Sequence, residues 1–118
     1  MPAPQDYKLE IFIPDEFVPA LREALAEAGA GQIGRYDHCI AYYLIHGSWR
    51  PLEGSDPYDG EAGKLSEGIE AKVEVNCAAE HVSAALRAIR GIHPYEEPLI
   101  NVIPLANHLF SGGDTANE

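Results

Sequence analysis

The chain has 118 residues, enough for one hydrophobic core and too few for two. Nineteen Asp and Glu against eight Lys and Arg give a formal charge of −11. That argues against the basic surface needed to hold a nucleic-acid backbone or an anionic membrane, and makes cations the attracted species.

"MPAPQDYK" has neither the basic start nor the apolar stretch of a secretion signal, and no later run is long and apolar enough to cross a bilayer. Cys39 and Cys77 lack C-x-x-C spacing, so a cytoplasmic setting with two reduced thiols is expected. "YKLEIFI" alternates Tyr7, Leu9, Ile11 and Ile13 with Lys8, Glu10 and Phe12, the period of a strand with one buried face. "PDEFVPALREALAEAG" follows with Val18, Leu21, Leu25 and Ala28 at helical spacing. Asp15 and Glu16 stand near its start, and Pro19 fits the first turn.

Gly29, Gly31 and Gly34 then form G-x-G-x-x-G, the spacing of a dinucleotide-binding loop. That loop requires a strand before the glycines and a helix after them. Here a helix precedes them, and the β-branched and aromatic run "RYDHCIAYYLI" follows as the second strand. The glycines therefore read as a helix stop, with Gly29 left-handed, and a turn into the sheet.

Residues 47–68, "GSWRPLEGSDPYDGEAGKLSEG", form a long connection rich in Gly, Pro and acids. A stretch of this size is expected to be an ordered excursion that extends a hairpin or covers a neighbouring subunit, with Trp49 lying on a surface. "IEAKVEVN" alternates again as strand three, and "AAEHVSAALRAIRG" places Val82, Leu86 and Ile89 on one face of a second helix stopping at Gly91. "LINVIPL" is a last, short strand. Residues 1–105 thus make one domain, and residues 106–118 read as a flexible tail.

The order β-α-β-β-α-β with right-handed crossovers specifies an α+β, ferredoxin-like sandwich: a four-stranded antiparallel sheet with two helices on one face. The first and third strands are then central. The second strand carries Tyr36, Ile40, Tyr42 and Leu44 on one side and Cys39, Ala41, Tyr43 and Ile45 on the other, which predicts a partner subunit over the face the helices leave bare.

"GAGQIGRYDHC", "WRPLEGSDPYDGEAG" and "HPYEEPLINVIPL", in that order, resemble motifs of the CutA-like, PII-like insert domain of YqfO-type dinuclear-metal hexamer proteins and its free-standing bacterial versions. The resemblance spans about residues 7–105. "HPYEEP" is also similar to the end of the CutA divalent-ion tolerance proteins, which implies the same fold and a homotrimer. The halves that carry the paired metal ions in the parent family have no counterpart within these 118 residues, so the GTP cyclohydrolase label of that family is not expected to transfer by resemblance. Ile40 and His46 depart from the small or thiol residue and the Gly-rich turn of the family pattern.

Pro94 and Pro98 fix the backbone around His93, Tyr95, Glu96 and Glu97. Adjacent glutamates in an extended chain diverge, so Glu96 and Glu97 do not read as an acid/base pair. They read equally as ligand-binding groups or as an interface lock. His38 and Cys39, consecutive in the expected second strand, would face opposite sides of the sheet and could meet His93 only across a subunit interface. A set of His38, Cys39, His93 and Glu96 would suit zinc or copper. Tyr36, Trp49, Tyr95 and Glu97 are the candidate ligand-binding residues. No nucleophile stands at a recognisable spacing from a base. The expected function is a non-enzymatic oligomeric module binding a divalent metal ion or small ligand at a subunit interface. The alternatives are an accessory domain or partner of a metal-dependent hydrolase and a purely structural interaction domain.

Overall fold

A computed structural model describes residues 3–110. It comprises β1 (Asp6–Ile13), α1 (Val18–Glu27), β2 (Ala41–Trp49), β3 (Ser66–Ala78), α2 (Val82–Ile92) and β4 (Ile100–Pro104), with a short 3-10 turn before each α-helix. The strands form one antiparallel sheet in the order β2-β3-β1-β4. This is the ferredoxin-like α+β sandwich, with β1 and β3 in the centre. A further 3-10 turn, Asn107–Leu109, begins the expected tail, and residues 111–118 of that tail lie outside the described residues.

Alternation makes the core. Leu9, Ile11 and Ile13 of β1 and Ala71, Val73, Val75 and Cys77 of β3 are buried under Leu21 and Leu25 of α1 and Ala85 and Ile89 of α2. Leu86 is only partly buried and packs at the edge of this cluster. Pro19 stands in the first turn of α1 as expected. Gly29 ends α1 with φ 94°, and the His81 ring lies so close that a Cβ there would stand 2.9 Å from it. Helix α2 runs one residue past Gly91, and Arg90 stands in its last turn.

The opposite face of the sheet is open and carries a square of alternating charge. Lys8 lies 3.2 Å from Glu74 and 3.7 Å from Glu10, while Lys72 lies 3.6 Å from Glu10 and 3.9 Å from Glu74. Lys72 is also poised over the rings of Phe12 and Tyr43.

The second strand begins later than its composition suggests. Residues 35–40 are not in the sheet: Ile33 and Tyr36 exchange two backbone hydrogen bonds, and His38 takes the left-handed φ of 59°. Tyr36, His38 and Cys39 are therefore loop residues, and the face assigned to them in a strand is corrected accordingly. His46 lies inside β2 opposite Ile69, with no turn there. The pairing of β2 with β3 continues to Trp49 and Ser66, so the Gly- and Pro-rich connection shortens to residues 50–65.

Candidate functional site

Two tracts far apart in sequence are stitched together beside the last residues of β1 and the first residues of β3. On one side, residues 50–65 fold back on their own hairpin. The Trp49 indole N–H donates to the Asp59 carbonyl at 3.0 Å, and the Gly63 N–H donates to the Pro51 carbonyl at 2.8 Å. Gly60, at φ 102°, passes so close to the hairpin that a Cβ would stand 2.8 Å from Ser66 Oγ and 3.1 Å from Trp49 Nε1. The Trp49 ring itself lies over Gly68. Its expected surface is thus supplied by its own chain.

On the other side, α2 hands over to "HPYEEP". The His93 N–H closes the last helical turn on the Ile89 carbonyl, and its ring is buried. His93 Nε2 lies 2.7 Å from the Phe12 carbonyl, to which it donates, while Nδ1 accepts the Tyr95 N–H at 3.2 Å. The ring is thereby fixed as the neutral Nε2–H tautomer. Burial holds its pKa below the usual imidazole value, although the Phe12 carbonyl pulls the other way. Tyr95 continues the network, its hydroxyl donating to Glu70 Oε1 at 2.9 Å. Burial, reinforced by the Glu70 carboxylate, pushes that phenol well above its ordinary pKa, so it remains a donor. Tyr58 from the loop meets the Tyr95 ring at 5.9 Å and Phe17 edge-on at 6.4 Å. Glu96 Oε1 accepts the Asp56 N–H at 2.7 Å, a direct tie between the two tracts.

Between them lies a cavity of about 430 Å³. Phe12, Trp49, Tyr58 and Tyr95 give it aromatic walls, and Asp59, Glu70, Glu96, Glu97 and Arg50 are among its lining residues. This is the size of a small-molecule site, with an apolar body and a few directed polar groups.

The expected residues divide. Trp49, Tyr95, Glu96 and Glu97 come together at the cavity; Tyr36 does not line it. His38 sits elsewhere, its Nδ1 2.8 Å from Asp37 Oδ1 and its Nε2 3.1 Å from Glu23 Oε1 of α1. Those two carboxylates raise its pKa. Cys39, with Lys8 and Ile40, lines a separate shallow depression. Both ring nitrogens of His93 are engaged. Among the described residues no three His, Cys, Asp or Glu side chains are grouped so as to hold a metal ion. The sequence reading missed Phe12, Tyr58, Asp59 and Glu70. One signal was available for Tyr58: "DPY" and "HPY" are both proline-directed tyrosines, and their rings meet in the cavity wall.

No protein-family model matches the chain. It is 39% identical over 101 residues to a GTP cyclohydrolase 1 type 2 homolog of Halalkalibacterium halodurans, a match covering 86% of this chain and 27% of that protein. A Bacillus cereus protein related to NIF3 superposes with a TM-score of 0.77 at 33% identity, over 91% of this chain and 27% of the other. The divalent cation tolerance protein CutA from Archaeoglobus fulgidus superposes with a TM-score of 0.64 at 18% identity, over 86% and 84% of the two chains. The last likeness establishes the fold. The chain spans about a quarter of the length of the curated relatives it matches.

Proposed function

We propose that the chain is a non-enzymatic binding module that assembles with copies of itself, as a trimer, and holds a small ligand in the cavity between residues 50–65 and "HPYEEP". The observation that carries this reading is the preorganisation of the cavity. Both of its sides are fixed by hydrogen bonds, from Trp49 to Asp59, from Tyr95 to Glu70 and from Asp56 to Glu96, before any ligand arrives. Trimer formation is supported by apolar side chains the helices do not reach. Tyr42 and Leu44 share the core side of the sheet with Val73 and Ala71, yet they are 46% and 55% exposed.

The GTP cyclohydrolase name of the similar proteins favours a second reading, an accessory domain of, or partner to, a metal-dependent hydrolase. In either case zinc or copper binding by His38, Cys39, His93 and Glu96 would require ligands from more than one subunit, and the engaged His93 ring makes it the weakest member of that set. The chain has one tryptophan, so its fluorescence reports on the cavity directly. Titrating the purified protein with a soluble metabolite-sized library should change Trp49 emission for a ligand, and Tyr95→Phe should weaken that response. Response to zinc or copper alone, lost in Cys39→Ser, would instead select the metal reading.

A further inference from the structure

We infer, resting on the cavity as a ligand site, that its ligand is an organic cation: a planar or compact apolar body carrying an amidinium, guanidinium or ammonium group. The walls and the charges of the cavity point the same way. Phe12, Trp49, Tyr58 and Tyr95 line it with four ring systems, and aromatic faces carry partial negative charge that attracts cations, as Lys72 over the Phe12 ring already shows. Among the lining residues, Asp59, Glu70, Glu96 and Glu97 against Arg50 leave an excess of three negative charges.

The carboxylates are not all spent within the protein. Glu70 and Glu96 each commit one oxygen, to the Tyr95 hydroxyl and the Asp56 N–H, which fixes the direction of the other. A carboxylate holds only acceptors, so its matching ligand group must donate. A phosphate or carboxylate ligand would meet this excess charge with Arg50 as the sole cationic side chain of the lining. A bare divalent ion would use the acids and leave the aromatic walls without a role, and no three acids are grouped to surround it. An organic cation satisfies both halves of the cavity. The formal charge of −11 on the chain adds a long-range attraction for it.

The test uses three probes of one shape and different charge: benzamidinium, benzamide and benzoate, each titrated against the full chain with Trp49 emission and Glu97 and Tyr95 NMR shifts as readouts. Benzamidinium should bind about tenfold more tightly than benzamide, with benzoate weakest. Glu97→Gln and Asp59→Asn should each weaken benzamidinium about fivefold without changing benzamide. Raising salt on the wild-type chain should weaken benzamidinium alone, a comparison that needs no variant to fold. Benzoate equal to or tighter than benzamidinium at Trp49 overturns the cation assignment and leaves the cavity as the site. Binding of none of the three, or binding that moves neither Trp49 nor Glu97, overturns the cation assignment. Failure of the wider library as well overturns the cavity reading with it.

Discussion

Two histidines show opposite electrostatics on one small fold. His38 faces a carboxylate from each ring nitrogen and can donate to both only as the imidazolium. Its raised pKa means that the clasp stabilises the folded chain below the ordinary imidazole range and is lost as pH rises through the raised value. His93 is buried and neutral with its pKa lowered, so its contribution has the reverse sense: stability is lost as pH falls from the unfolded histidine value towards the lowered one. Imidazole NMR titration should give His38 a midpoint above that of a model histidine and His93 one below it, and Glu23→Gln should bring His38 down. His93→Ala leaves the Phe12 carbonyl without its donor, which should cost about 1–3 kcal/mol in urea unfolding. At this scale the sequence disclosed chemistry but not company. His93 and Tyr95 were recognisable as held by prolines, whereas Glu70 was one of several acids alternating along a strand until Tyr95 was seen to reach it.

Among the elements, periodicity did most of the predictive work where burial follows it. Leu9, Ile11 and Ile13 are the inward set of β1, and Leu21 and Leu25 the inward stripe of α1. Leu25→Ala should cost about 2–5 kcal/mol, and Leu86→Ala nearer 1 kcal/mol because its side is half open, as equilibrium denaturation of both variants will show. Periodicity failed at residues 35–40, where β-forming side chains occupy a loop. Gly31 and the left-handed His38 bend the chain there, and the backbone hydrogen bonds of Tyr36 and Cys39 run to Ile33 and Gly31 rather than to a neighbouring strand. The excursion of residues 50–65 was visible as an anomaly of length, but its return onto Trp49 is a tertiary event. Gly60→Ala should loosen it by driving a methyl group against Ser66, lowering the thermal midpoint and exposing Trp49 to acrylamide quenching.

The molecule as a whole is extended, 54 Å along its longest axis against 23 Å along its shortest. Thirteen residues of β3 alone reach about 44 Å, so the hairpin sets that length and carries Leu44 and Ile69 beyond the helices. The order β2-β3-β1-β4 followed from the alternation of element types, while the uncovered parts of the sheet could be anticipated only from the aromatic residues on both sides of β2. Light scattering at micromolar concentration should give three times the 12.8 kDa chain mass, and Leu44→Glu should reduce it. The charge square on the open face carries a further consequence. Copies of a chain bearing −11 repel one another, yet Lys8, Lys72, Glu10 and Glu74 sum to zero, leaving a locally neutral platform on an anionic body. Subunits that meet through Tyr42 and Leu44 gain from counterions that damp this repulsion, while the square's ion pairs stay closed inside each copy. Assembly should therefore tighten with added salt, opposite in direction to the salt response of the cavity.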